Sequence, residues 1–457
     1  MSKFRLLSLD GSGLPIANTL QDEGHEVDVY IQKDDASKHV KSYKELFDGI
    51  LDKVKMWDDG LDKDTIVIMD SVGQKVHHSQ EEADEQGKLK HENLEAFLDL
   101  PNIADELRDA GQKVVSGGMV NDYLELDREC GQEAAEEAGF KIPPSTEITD
   151  YDEAIDIVKK TKKRYVLKPS GNGDSFAIYP SRDWVDLLTK LEHLKKEKVP
   201  VDKILLQEYV EGFQMSCEGW WSGENLYGFN STFEHKAIGG KDIGALSGEC
   251  GSVVFYYPDG EESKMTKMMR GLEPLLKKIN YPVGPIDCNM LHNAEGSWFL
   301  EWTTRPGYPA AHIQLYACQD WGGIFEKLVN GQFDGFKDHL RKDKWFIGNR
   351  VWIPEWPFGR TLPDLVEDPT IFSHLKSEHM DHIALTDAKV KDDQLVTGGT
   401  DGELMCVSAG GDTIKDAKAA MMKIINDFIV YPMCYRYDVG DEIEVDSFKK
   451  WGFWLPD

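Results

Sequence analysis

Apolar residues in this chain fall into short runs, separated by polar stretches rich in glycine and proline. Residues 4–10 (FRLLSLD) form a near-continuous apolar run, which predicts a buried first strand. Gly11, Ser12 and Gly13 predict a turn, residues 14–23 a helix, and VDVYI (27–31) a second strand, giving a βαβ opening. IVIMD (66–70) repeats the strand pattern, and IADELRDAGQKVVSG (103–117) predicts a helix followed by a strand. Between these lies a polar, loop-like stretch (74–92) with adjacent His77 and His78, which lack the further ligands a metal site needs.

A second helical stretch, 120–139, closes at Gly139 before Pro143 and Pro144. Residues 150–161 predict a helix, 164–180 a β-hairpin with a glycine-containing loop, and 186–198 a charged helix. ILLQEYVEG reads as a strand to Val210, and alternating strand patterns fill 215–235. VGPIDCNML and SWFLEWTTR predict two strands joined at HNAEG, and 311–329 a helical stretch interrupted at Gly322 and Gly323. In the last hundred residues, LMCVSAG reads as a strand and IKDAKAAMMKIINDF as an amphipathic helix of a small α/β unit.

A length of 457 residues, 40% of them apolar, predicts about three domains with real cores. Charge sharpens this picture. Eighty-two acidic residues against 52 basic ones give a net charge of −30, which disfavours nucleic acid and anionic membrane as partners. No apolar run approaches the roughly 20 residues of a membrane-spanning helix, and the N-terminus lacks a signal-peptide pattern. Seven cysteines without metal-site spacing predict neither a disulfide framework nor a zinc site. A cytoplasmic protein is expected.

Three constellations carry candidate chemistry. Lys168 ends an apolar strand and precedes Ser170, Gly171 and Gly173; a strand-end lysine and small-residue loop suit nucleotide phosphates, and equally suit a plain hairpin. The lysine precedes the glycines, so this is not a Walker P-loop. Gln207, Glu208, Tyr209 and Val210 end another strand and could offer backbone groups to an adenine edge, or be an ordinary strand end. Asp287 and Glu301 lie on consecutive strands around a tight turn. Antiparallel pairing would bring both carboxylates to one end of a cleft, as hard Mg²⁺ requires. Arg305 follows, placed to fork onto a phosphate or carboxylate.

In order and spacing these pieces resemble the ATP-grasp superfamily, and within it the phosphoribosylamine–glycine ligase family. Further matches are FEHKAIGGKDIGALSGECGS (233–252), where His235, Lys236, Asp242 and Gly248 fall on the family pattern, PIDCNM, LEWTTRPGYP, and YRYDVG (435–440). The resemblance implies an α/β ATP-grasp fold with an N-terminal open α/β domain (1–122), an ATP-grasp body (123–335) whose lid spans about 150–212, and a small C-terminal α/β domain (336–457). It implies ATP held by Lys168, Ser170, Gly171, Gly173, Gln207, Glu208, Tyr209, Val210 and Gln214. Mg²⁺ or Mn²⁺ would sit on Asp287, Glu301 and Thr303, with Arg305, Lys236 and His235 at the acceptor end.

The implied activity is ATP-dependent amide formation between a small-molecule carboxylate and an amine through an acyl phosphate. Phosphoribosylamine–glycine ligase of purine biosynthesis itself, or an inactive or regulatory ATP-binding relative, are the alternatives. Oligomeric state, monomer or homodimer, stays open. Departures cluster at the substrate end: Thr303 replaces an asparagine, Tyr308-Pro309-Ala310 an acidic motif, and Gly13-Leu14-Pro15-Ile16 a Gly-Arg-Glu-His run, while Gln214 stands where an acid would hold the ribose. They favour an acceptor pair different from that of the named family.

Overall fold

A computed structural model describes residues 1–32, 42–73, 99–170, 178–200, 203–354, 356–357 and 369–457. His77, His78, Gly171 and Gly173 lie outside the described residues. Five short strands, Lys3–Ser8 (β1), Glu26–Ile31 (β2), Asp52–Lys53 (β3), Ile66–Met69 (β4) and Lys113–Val115 (β5), pair in parallel in the order β3-β2-β1-β4-β5. Their continuous hydrophobicity follows from burial on both faces. Phe4, Leu6, Ile66 and Ile68 pack with Leu14, Ile16 and Leu20 of helix Leu14–Asp22, while Leu7, Val67 and Met69 pack with Leu100, Ile103 and Leu107 of helix Asp99–Asp109.

Ser145–Ile148 (β6), Tyr165–Ser170 (β7), Tyr179–Pro180 (β8) and Lys203–Glu208 (β9) form a separate antiparallel sheet, ordered β6-β9-β7-β8. Helices Tyr151–Thr161 and Trp184–Lys196 cover one face, and Tyr165, Leu167, Ile204 and Leu206 point into a core of their own. Alternation along the strands therefore puts Lys168 and Gln207 on the opposite face. The hairpin expected at 164–180 is the β7–β8 pair.

The largest sheet is antiparallel. It comprises Phe213–Trp221 (β10), Leu226–Gly239 (β11), Ile243–Tyr256 (β12), Gly284–Asn293 (β13), Gly296–Thr303 (β14), Trp345–Trp352 (β15), Ile383–Leu385 (β16) and, after the hairpin Ala388–Lys391 (β17) and Gln394–Thr397 (β18), Glu403–Gly411 (β19). Cys434–Tyr435 (β20) pairs with β15. Strand β15 pairs with β12, so the strands before and after position 336 share one sheet. Trp221, 1% exposed, lies in the core beneath this sheet. Trp221→Ala is expected to cost about 3–5 kcal/mol, read from the midpoint of urea unfolding.

Two helical expectations need correction. The stretch 120–139 is two helices, Met119–Leu126 and Arg128–Glu137, because Asp127 turns its carboxylate onto the amides of Glu129 and Cys130, both at 3.1 Å. The break in 311–329 falls before Trp321 rather than at the glycines. Gly322 instead lies in the first turn of helix Trp321–Val329, where the Glu23 carboxylate receives the amides of Trp321 and Gly322 at 2.8 and 2.9 Å. A Cβ there would collide with His25, so the glycine serves a close approach.

Candidate active site

The polar face of the largest sheet meets the lid sheet. Strand alternation sets this face: Asp287 and Asn289 alternate with buried Cys288 and Met290, and Ser216 and Glu218 alternate with Met215 and Cys217. The antiparallel register of β13 and β14 places Asp287 opposite Thr303 and Asn289 opposite Glu301. Asp287, Glu301 and Thr303 therefore share one face, as the sequence predicts.

Their environments differ. Asp287 is 9% exposed, and burial, with Glu218 and Glu234 nearby, raises its carboxyl well above the usual range. Glu301 is 43% exposed, at the lip of the cleft rather than within a wall. Its Oε1 accepts from Lys236 Nζ at 3.0 Å, which holds its carboxyl down at about 2. Burial alone would lower the Lys236 ammonium, but Glu301 and Glu234 outweigh it and keep the lysine charged. From the lid, Lys168 reaches the same place. It is 5% exposed, and burial with Arg128 and Lys236 nearby lowers its ammonium to about 8, against the opposing pull of Glu301. Lid lysine, body lysine and helix arginine thus gather around one carboxylate.

Gln214 is tied into a ring of side chains. Its amide nitrogen donates to Glu234 Oε2 at 2.9 Å and to Asn289 Oδ1 at 2.8 Å, and Asn289 donates to Glu234 Oε1 at 2.8 Å. Gln207 is buried on the lid face, and Glu208 is ion-paired with Lys163. The amide of Glu208 donates to Pro144 O and that of Tyr209 to Arg164 O, so these two donors serve the lid rather than an adenine edge. The Tyr209 ring lies under the Arg164 guanidinium, 3.3 Å from its centroid. Val210 follows β9, on the linker into β10.

Two residues expected at the acceptor end are otherwise engaged. His235 Nε2 accepts from the Gly440 amide at 3.1 Å, and burial with Arg436 nearby lowers the ring to about 4, so it is neutral. Gly440 belongs to the YRYDVG segment, whose Arg436 bridges Asp438 and Asp242 at 2.7 Å each and ties the β11–β12 hairpin down. Arg305 pairs with Glu125 at 3.1 Å and donates to Pro306 O. Residue Ser170 ends β7.

Sequence reasoning missed Arg128, Glu218 and Glu234. The polar-face position of Glu218 beside apolar Met215 and Cys217 was a readable signal; Arg128, just after a helix break, gave none. Among the described residues no three His, Cys, Asp or Glu side chains form a metal cage by themselves. The fit for Mg²⁺ is of another kind: burial, with Glu218 and Glu234 close by, raises Asp287, and two carboxylates suffice when nucleotide oxygens and water complete the shell.

No protein-family model matches the chain. It is 22% identical over 358 residues to phosphoribosylamine–glycine ligase of Caldanaerobacter subterraneus, covering 75% of this chain and 82% of that one. The Clostridium acetobutylicum enzyme of the same name is 21% identical over 348 residues. Among solved structures, phosphoribosylamine–glycine ligase of Thermotoga maritima superposes with a TM-score of 0.65 at 14% identity, over 96% of this chain and 100% of the other. The biotin carboxylase domain of Hydrogenobacter thermophilus 2-oxoglutarate carboxylase, solved with MgADP, ADP and bicarbonate, gives 0.58 at 12% identity, over 95% and 92%. The chain therefore has the ATP-grasp fold, with an N-terminal α/β domain, and resembles phosphoribosylamine–glycine ligase.

Proposed function

We propose that this protein is an ATP-dependent carboxylate–amine ligase whose acceptor pair differs from that of phosphoribosylamine–glycine ligase. The observation that carries the reading is the convergence of Lys168, Lys236 and Arg128 on Glu301, beside the buried Asp287, between two sheets. The biotin carboxylase domain that shares this fold was solved with MgADP. When bound, ATP supplies a γ-phosphoryl group that activates the carboxylate as an acyl phosphate, and Mg²⁺ neutralises the charge on the transferring oxygens.

The chain's own residues do the rest. Asp287 and Glu301 would hold the metal, with Thr303 opposite Asp287 able to offer a hydroxyl on the same face. Lys168 places its charge on phosphate oxygens, and Gln207 lines the lid face behind it. Lys236 bridges Glu301 and Glu234, so it fixes the metal carboxylate and keeps a cation at the acceptor side. Arg305, balanced by Glu125, orients the loop after β14. His235 is a fastening of the C-terminal segment. Lid and body together exclude water that would hydrolyse the activated carboxylate. The amine nitrogen then bonds to the acyl carbon, the carbon–oxygen bond to phosphate breaks, and the phosphate leaves with the electron pair as the amine loses a proton.

The experiment is ADP release across a panel of carboxylates and amines, starting with glycine and phosphoribosylamine. Release that needs both partners supports the reading; tight ATP binding with no acceptor-dependent release rejects it. A pH test follows from Lys168. Its ammonium is charged below about 8 and lost above it, so ATP affinity is expected to fall as pH rises through that value. Equilibrium titration of the full chain with ATP at several pH values checks this, and Lys168→Arg is expected to flatten the profile.

A further inference from the structure

We propose that Glu249 binds the amine acceptor, receiving the N–H groups of the attacking nitrogen beside Lys236. The proposal rests on the ligase reading and names the residue that selects an amine as the second substrate. Glu249 owes its place to a bulge in β12. His235 pairs with Gly251 and Ala237 with Leu246, so a single residue of β11, Lys236, faces four of β12, Ser247 to Cys250. Such an irregularity re-aims a side chain, and Gly248 permits it here with a φ of +76°. The Ser247 hydroxyl donates to the Lys236 carbonyl at 2.9 Å, and Cys250 is buried against Trp352 and Trp356, so the bulge is fastened on both sides of Glu249.

The side chain held there is a buried acid without a partner. Glu249 is 8% exposed, and burial, reinforced by Glu234, pushes its carboxyl well above the usual range. Among the described residues none donates a hydrogen bond to either oxygen or forms an ion pair with it. Oε1 is enclosed, so Oε2 is the oxygen that meets a ligand. The two cations whose field reaches Glu249 are engaged elsewhere, Lys236 with Glu301 and Glu234 at 3.0 and 3.4 Å and Arg350 with Glu403. Asp287 lies within the same field, which puts Glu249 at the reaction centre rather than in a separate pocket. A buried carboxylate left without donors costs the fold free energy, and an arriving N–H group removes that cost.

Two other occupants are disfavoured on the same grounds. A phosphate or a second carboxylate would meet Glu249 and Glu234 with like charge. A bare metal ion would need converging ligands, and no three acidic, histidine or cysteine groups among the described residues provide them. An amine suits both sides of the bulge: its N–H groups face Glu249, and Lys236 remains for the oxygens of the activated carboxylate. Arg436, bridging Asp242 and Asp438, ties down the same hairpin, so Glu249 is positioned before the substrate arrives.

Hydroxylamine separates the two halves of the reaction, because at high concentration it captures an acyl phosphate without needing a binding site. With ATP, Mg²⁺ and each carboxylate of the panel, hydroxamate formation by the full chain therefore reads phosphoryl transfer alone. Glu249→Gln, which keeps the shape, is expected to form hydroxamate within about threefold of the unaltered rate at the same Mg²⁺ requirement. It is expected to raise the KM for the amine about tenfold or more, with thermal unfolding unchanged or raised. Glu249→Asp, which restores the charge, is expected to recover part of that loss. Hydroxamate formation that falls together with amide formation, a raised Mg²⁺ requirement, or an unchanged KM for the amine overturns the proposal. Absence of hydroxamate from every carboxylate with the unaltered protein instead rejects the ligase reading itself.

Discussion

Lys168→Ala is expected to reduce ATP-dependent ADP release by about 100-fold or more, the scale seen when a preorganised charge facing a reacting group is removed. Lys168 is the lid's charged contribution to the cluster, and burial with Arg128 and Lys236 makes its charge costly to hold until phosphate oxygens arrive. A cation held at such a cost is stabilised by an anionic ligand more than a solvated one would be. Its removal should therefore weaken nucleotide binding and slow turnover, while relieving rather than adding electrostatic strain in the empty protein. Stopped-time ADP assays together with thermal unfolding separate the two effects. Lys168→Met, which keeps the volume, should behave like the alanine variant. Near-normal turnover in either would remove Lys168 from the site.

Glu301→Ala carries the second large effect, a loss of about 100- to 1000-fold in turnover at saturating ATP. The substitution deletes the carboxylate proposed to hold the metal and also frees Lys236, whose other carboxylate is Glu234 at 3.4 Å. Glu301→Gln keeps a hydrogen-bond acceptor for Lys236 but not the charge. It should raise the Mg²⁺ concentration needed for half-maximal rate, and the shift distinguishes a metal role from a purely structural one. His235→Gln provides the contrast. Because the ring is neutral and receives the Gly440 amide, the change should lower thermal stability and leave turnover within about threefold.

Strand alternation made much of this legible in advance. The apolar runs at 4–8 and 66–69 are strands because both faces are covered, and Lys168 faces the body because Tyr165 and Leu167 fill the lid core. The β13–β14 hairpin could be read because a polar turn separates two apolar runs, which brings Asp287 and Glu301 to one end; the exact register, Asp287 opposite Thr303, comes from the structure. Long-range partners could not be read. Nothing local in the sequence ties Arg436 to Asp242, Gly440 to His235, or Glu125 to Arg305, since each pair is made only when distant segments dock. The helix break at Asp127 is local, an N-cap carboxylate inside a stretch that otherwise reads as one helix, whereas the approach of Arg128 to Lys168 and Glu301 is again made only by docking.

The most direct test of the ligase account follows an oxygen atom. With a carboxylate labelled with heavy oxygen, and the amine that the ADP-release panel selects, phosphoryl transfer to the carboxylate followed by amine attack moves one carboxylate oxygen into inorganic phosphate. Mass analysis of the released phosphate is predicted to show one labelled oxygen per amide formed. Phosphate without label, alongside continuing ADP release, would mean that water or another acceptor takes the phosphoryl group, and would contradict the account.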